Sequence, residues 1–149
     1  MTLEGSKLRV NKWGWDRFSN IVYVDQPIGT GFSQGTFFDY PTSEEKIWRQ
    51  LKIFFNKFYD IFPKYRGRDV YITGESYAGH YIPNIAVRWT KYEMRLKWGR
   101  LKGVAIGNGW VDPYLQIPKY ASFAFNNNLI NKPSKVVLDI GFKLCQYLI

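Results

Sequence analysis

The 149-residue sequence contains one cysteine, Cys145, and one histidine, His80. A single cysteine excludes a disulfide framework within the chain and a zinc site built on thiolates. The lone histidine is the tighter limit, because a mechanism needing a separate imidazole base has only His80 to draw on. No apolar stretch approaches the roughly 20 residues that cross a bilayer, so no membrane span is expected. The start, Met1 to Ser6, lacks an apolar h-region and does not read as a signal peptide. Acidic residues are also scarce, with 12 Asp+Glu against 21 Lys+Arg and a formal charge of +9. That balance suits an acidic partner, yet the basic residues are dispersed, and no helix-turn-helix, RNP or finger pattern accompanies them. The densest run, Lys91 to Lys102, reads as a solvated helix face, and no nucleic-acid partner is expected. Internal repeats and low-complexity linkers are missing too, so one domain is expected. What the chain has in quantity is aromatic rings, 6 Trp, 11 Tyr and 11 Phe. Each can bury about 150–250 Å², which points to a packed interior rather than disorder.

Apolar patterning gives an order of elements. Asn20-Ile-Val-Tyr-Val-Asp25 is a short β-branched run closed by Gln26-Pro27, and it predicts a buried strand of a parallel sheet. A turn-rich stretch from Pro27 to Pro41 follows. Thr42-Ser-Glu-Glu45 has capping-box spacing, with Thr42 as the N-cap. Behind it Ile47, Leu51, Phe54, Phe55, Phe58 and Phe62 recur at helical spacing as a core-facing stripe, which Pro63 ends. Asp69 to Thr73 predicts a second strand. A helix is expected from about Tyr77 to Trp98, kinked or divided at Pro83. Leu101 to Gly107 predicts a third strand, stopped by Asn108-Gly109. Weaker helical patterns cover Tyr120–Leu129 and Lys135–Leu148. The β-α-β-α-β order argues for parallel strands with right-handed crossovers.

Gly74-Glu75-Ser76-Tyr77-Ala78-Gly79 falls between a predicted strand and a predicted helix. That context suits a nucleophile elbow, a sharp turn that lifts a serine hydroxyl above the sheet and needs small neighbours. The helix that follows points its first N–H groups at the site, where they stabilise developing negative charge. Ser76 is then the candidate nucleophile and the Tyr77 backbone N–H a candidate oxyanion donor. His80 follows Ser76 by one helical turn on the same side, so it reads as packing rather than as the base. Asp25 and Asp112 read as loop braces.

The decapeptide from Gly74 to Pro83 resembles the active-serine signature of the serine carboxypeptidases, which are α/β-hydrolases. Three further segments are similar to that family in the same order. They are Asn11-Lys-Trp-Gly-Trp15 leading into Val22 to Ser33, Phe58 to Pro63 with Tyr65-Arg-Gly, and Leu101 to Pro113. The fold class this implies is an incomplete α/β-hydrolase over residues 1–149. A parallel β-α-β-α-β core with the elbow occupies about 1–113, and the start of a helical cap about 114–149.

The resemblance implies release of C-terminal residues from peptides and proteins through an acyl-enzyme on Ser76, with no cofactor and no metal. It assigns Glu75 to the substrate's terminal carboxylate. Two carboxylates at hydrogen-bond distance cannot both be ionised, so Glu75 is expected to hold a proton there. Asn11 and Trp15 are assigned to bracing the substrate region. The family's Trp-x-Asn-Gly-Gly-Pro-Gly-like segment and its catalytic Asp and His are not found in these residues. The chain thus resembles about the middle third of a family member, and it is expected to be inactive and poorly soluble without the N- and C-terminal parts of the same fold. Two alternatives remain, an acyltransferase of the same group and a truncated, inactive peptide-binding module. A vacuolar or lysosomal location, or secretion, is implied by the resemblance. Cys145 is either half of a disulfide with a partner outside this sequence or an unpaired thiol.

Overall fold

In the computed structural model, which describes residues 2–96 and 98–149, the chain forms two units, Met1–Pro41 and Thr42–Ile149. The first begins with an antiparallel hairpin that the apolar pattern did not announce. Strand β1 (Thr2–Glu4) pairs with β2 (Lys7–Arg9), and Gly5 takes a φ of 62° in the turn between them. That left-handed value is open to glycine without steric cost.

The strand expected at Asn20–Asp25 is not formed among the described residues, and Tyr23 within it is 89% exposed. β-Branched residues supply a tendency, but a strand exists only where a neighbour completes its ladder of hydrogen bonds. The turn behind it is well made. Asp25 Oδ2 accepts from the Phe32 N–H at 2.8 Å, and Ser33 Oγ donates to the Asp25 carbonyl at 2.6 Å. Gly31 has a φ of 54°, and the Asp25 carboxylate fills the space a side chain there would need. Asp25 is therefore a loop brace, as expected.

The second unit opens with helix α1 (Glu44–Ile61). Its N-cap is Ser43 rather than Thr42, and the Ser43 side chain accepts from the Lys46 N–H at 3.3 Å. A capping box does occur six residues earlier, where Thr36 and Asp39 close a short 3-10 turn, Phe37–Asp39. The buried stripe of α1 is also shifted from expectation. Ile47, Trp48, Leu51 and Tyr59 are buried, whereas Phe54 and Phe62 are exposed. An aromatic helix carries enough apolar residues for two faces, and its partner decides which one goes inside.

That partner is helix α2 (Ala78–Leu96), which runs without a break through Pro83. Pro83 lies near the helix start, and the intrahelical bond its missing N–H forfeits is the one to the Gly79 carbonyl. Trp98 follows the helix rather than ending it, while Lys97, which the expected helix included, lies outside the described residues. The core is a nest of rings. Trp89, fully buried, meets Phe55 at 4.8 Å and Trp98 at 4.9 Å between centroids. Its indole N–H donates to the Gly99 carbonyl at 3.0 Å, and the Trp98 N–H donates to Asn56 Oδ1 at 3.0 Å, so both polar edges are satisfied.

Strand β3 (Asp69–Glu75) pairs in parallel with β4 (Arg100–Gly107), and α2 is the crossover between them. The α/β class is as expected, with β-α-β formed from the five-element core. Val70, Ile72 and Gly74 are half-buried on one face of β3, whereas Tyr71 on the other is 67% exposed. Parallel strands are ordinarily covered on both faces. Three helices complete the unit, α3 (Pro113–Gln116), α4 (Tyr120–Asn126) and α5 (Lys132–Tyr147). Cys145 on α5 is a free thiol.

Candidate active site

The site forms where β3 passes into α2. Glu75 ends the strand, Ala78 starts the helix, and Ser76 and Tyr77 make the turn between them. Ser76 has a φ of 59°, in the left-handed region that a residue with a Cβ enters at a cost of order 1–3 kcal/mol. Such a conformation persists only where the surroundings over-determine it. Here the Ser76 N–H donates to the Gly107 carbonyl at 2.9 Å, and its carbonyl accepts from the Trp110 N–H at 2.8 Å and the Gly79 N–H at 3.0 Å. Three backbone bonds thus hold one strained residue, two of them from β4 and the loop after it.

Close approach explains the small residues around the serine. A methyl group on Gly74 would lie 2.6 Å from the Ala78 Cβ and 3.2 Å from Ile82 Cδ1. One on Gly79 would lie 2.6 Å from the Trp110 backbone nitrogen and 2.7 Å from its carbonyl carbon and oxygen. Backbone cannot rotate aside as a side chain can. Gly79→Ala is therefore expected to push the Trp110 N–H off the Ser76 carbonyl. In the full-length gene product, fluorophosphonate labelling of Ser76 should fall about 100-fold, the scale of a 1 Å misplacement. Overpacking should lower the unfolding free energy by about 1–3 kcal/mol in urea titration.

Ser76, Tyr77, Asn108, Trp110, Gln116 and Tyr120 line one open cleft. The Tyr77 N–H, at the start of α2, has no backbone acceptor among the described residues. It is free to meet an oxygen carrying negative charge. Glu75 is exposed beside Gly107, its partner on β4. Of the three consecutive residues Glu75, Ser76 and Tyr77, the last two line the cleft. Asn11 and Trp15 belong to the first unit, where Asn11 Oδ1 accepts from the Trp13 N–H at 2.9 Å and Trp15 starts a 3-10 turn.

His80 packs against aromatic rings, with centroids 4.8 Å from Tyr77 and 5.2 Å from Trp110. Its Nε2 is buried and hydrogen-bonded to nothing, so it does not engage Ser76. Glu44 Oε2 is likewise buried without a partner. Burial raises the Glu44 carboxyl above its ordinary range, while nearby His80 draws it back down. Among the described residues no group of three or more His, Cys, Asp and Glu is placed to hold a metal ion. No described helix is long and apolar enough to cross a membrane.

Sequence patterning marked Asp112 as a brace, and Asp112 does cap α3, accepting from the Leu115 N–H at 3.0 Å. It did not single out Asn108, Trp110 or Gln116. Asn108 was visible only as a strand stop. Its φ of 44°, which asparagine tolerates better than most residues, is the reason an Asn-Gly pair stands there.

Comparison with known proteins agrees with this geometry. A model of the family described as serine carboxypeptidase matches residues 1–141. A pheromone-processing carboxypeptidase kex1 of Aspergillus terreus is 40% identical over 149 residues, covering 96% of this chain and 24% of the relative. Its counterpart in Pyrenophora tritici-repentis is 44% identical over 131 residues, covering 85% of this chain and 20% of the relative. The chain therefore spans about a quarter of the length of the curated relatives it matches. The crystal structure of KEX1(DELTA)P, a prohormone-processing carboxypeptidase from Saccharomyces cerevisiae, superposes with a TM-score of 0.72 at 33% identity. That match covers 83% of this chain and 29% of the yeast chain.

Proposed function

Because this chain belongs to the serine carboxypeptidase family, we propose that it carries the nucleophile of an enzyme releasing C-terminal residues from peptides. The observation that carries the reading is Ser76, held at a φ of 59° where a parallel strand meets a helix. Ser76 Oγ attacks the carbonyl carbon of the last peptide bond, and a base accepts its proton. The carbonyl oxygen, now negative, takes a hydrogen bond from the Tyr77 N–H. Collapse breaks the C–N bond, the proton passes to the leaving amine, and an acyl-enzyme remains for water to hydrolyse. Glu75, one residue before the nucleophile, receives the terminal carboxylate and holds the shared proton. Asn11 and Trp15 brace the substrate.

His80 is occupied by packing, so the proposal draws the base and its orienting acid from outside these 149 residues. Residues from about 114 onward then begin a cap over the cleft. The names of the relatives, carboxypeptidases that process pheromones and prohormones, support peptide C-termini as substrates. An acidic lumenal compartment, or secretion, fits a carboxylate that works protonated.

The test uses the full-length gene product. A fluorophosphonate should add to Ser76, located by mass spectrometry. A free-acid peptide should lose its last residue while the same peptide with a C-terminal amide stays intact. Release of the acyl group to water rather than to an added alcohol separates hydrolysis from acyl transfer. No adduct and no cleavage would end the reading, and equal cleavage of acid and amide would remove the role of Glu75.

A further inference from the structure

Backbone that is neither helix nor strand must still find partners for its N–H and C=O groups. The segment from Gly109 to Asp112, between β4 and α3, finds three of them in one side chain. Gln116 Oε1 accepts from the N–H groups of Val111 at 3.0 Å and Asp112 at 2.9 Å, and Gln116 Nε2 donates to the Gly109 carbonyl at 3.1 Å. Turned over, the amide would set its NH2 against two donors and its oxygen against a carbonyl, so only one orientation satisfies the loop. Gln116 is itself anchored, because its own N–H donates to the Asp112 carbonyl at 2.9 Å.

Inside the clamped segment lies Trp110, whose N–H holds the Ser76 carbonyl and whose backbone rests against Gly79. Two residues before the segment, at the end of β4, the Gly107 carbonyl accepts the Ser76 N–H. The chain of contacts runs from one amide, through one loop, to the carbonyl of a strained residue whose N–H is held by the strand that leads into that loop. We infer that Gln116 is a positioning residue for Ser76, its amide holding the β4–α3 loop in the shape that keeps the serine aligned for attack. The inference rests on the reading of Ser76 as nucleophile. Removing the clamp should lower the rate of acylation of Ser76.

Gln116→Glu separates this role from packing, since the two side chains have the same size. Ionised, the glutamate accepts from both N–H groups but repels the Gly109 carbonyl; protonated, its O–H replaces the lost donor. Asp112 on the loop, Tyr77 and Tyr120 across the cleft, Glu75 beside Ser76 and His80 against Trp110 are common to variant and parent. The variant-to-parent ratio at each pH therefore isolates residue 116.

In the full-length gene product at pH 7, Gln116→Glu should label with fluorophosphonate and turn over peptide about 10–100-fold more slowly. The ratio should return to within about threefold near pH 4, inside the ordinary glutamate range, where an unperturbed carboxyl is about half protonated. Gln116→Met should stay slow at both pH values. If both variants match the parent within twofold, or the Glu variant is as slow at pH 4 as at pH 7, the positioning role is overturned. A parent protein that takes no label at all would instead remove the reading of Ser76, an outcome read before any variant is made.

Discussion

Ser76→Ala should lose about a millionfold in turnover and all fluorophosphonate labelling in the full-length gene product, the scale seen when a serine nucleophile is removed. The fold should survive, because the three bonds that fix residue 76 are made by its backbone and not by Oγ. Alanine keeps the Cβ and therefore keeps the strain of a φ near 59°. Ser76→Gly should be equally inactive, yet more stable than the alanine variant by about 1 kcal/mol, since glycine enters the left-handed region freely. The two variants together measure what alignment of the nucleophile costs the fold. A glycine variant no more stable than alanine in urea titration would show that the elbow is not strained.

The second large effect lies in the ring nest beneath the site. Trp89→Ala should lower the unfolding free energy by about 3–5 kcal/mol, the cost of emptying a buried aromatic position. Trp89 is 0% exposed and touches rings from α1 and from the segment before β4, so the cavity is walled by two elements that cannot both collapse into it. It also leaves the Gly99 carbonyl without its donor. Against a typical domain stability of about 5–15 kcal/mol, that loss is enough to unfold a marginal chain. Trp89→Phe should cost less, keeping most of the packing and losing the hydrogen bond. Urea unfolding midpoints of the two variants, compared with the parent, check the order.

Local signals were sufficient where the chemistry was local. Pro63 ends α1 and Gly107 ends β4 where the pattern placed them, because proline and an Asn-Gly pair act on their own backbone. The elbow was legible for the same reason. Small residues at 74 and 78 around a serine reflect a contact within a single turn, whereas Gly79 is kept small by the Trp110 backbone, which the sequence did not disclose. What sequence did not disclose depended on a distant partner. Asn20–Asp25 has strand composition, but a ladder needs a second chain segment beside it. The α1 stripe was misaligned because Trp48 and Tyr59 are chosen by Trp98, 50 and 39 positions away (98 − 48 and 98 − 59), not by their neighbours on the helix. Gln116 was invisible for a related reason. A glutamine in a short helix carries no mark until the carbonyl and the two N–H groups it joins are seen.

The bonds from Gly107 and Trp110 to Ser76 also bear on how the protein is made. A growing polypeptide emerges N-terminus first, so the serine leaves the ribosome before the residues that set its backbone. Until β4 has been synthesised and has docked beside β3, two of the three backbone bonds that hold residue 76 are missing, and only the one from Gly79 can form. The proposed nucleophile is therefore aligned only after its downstream strand has arrived. Nascent chains halted before that strand would carry a serine in an ordinary conformation, chemically unremarkable among the other hydroxyls around it.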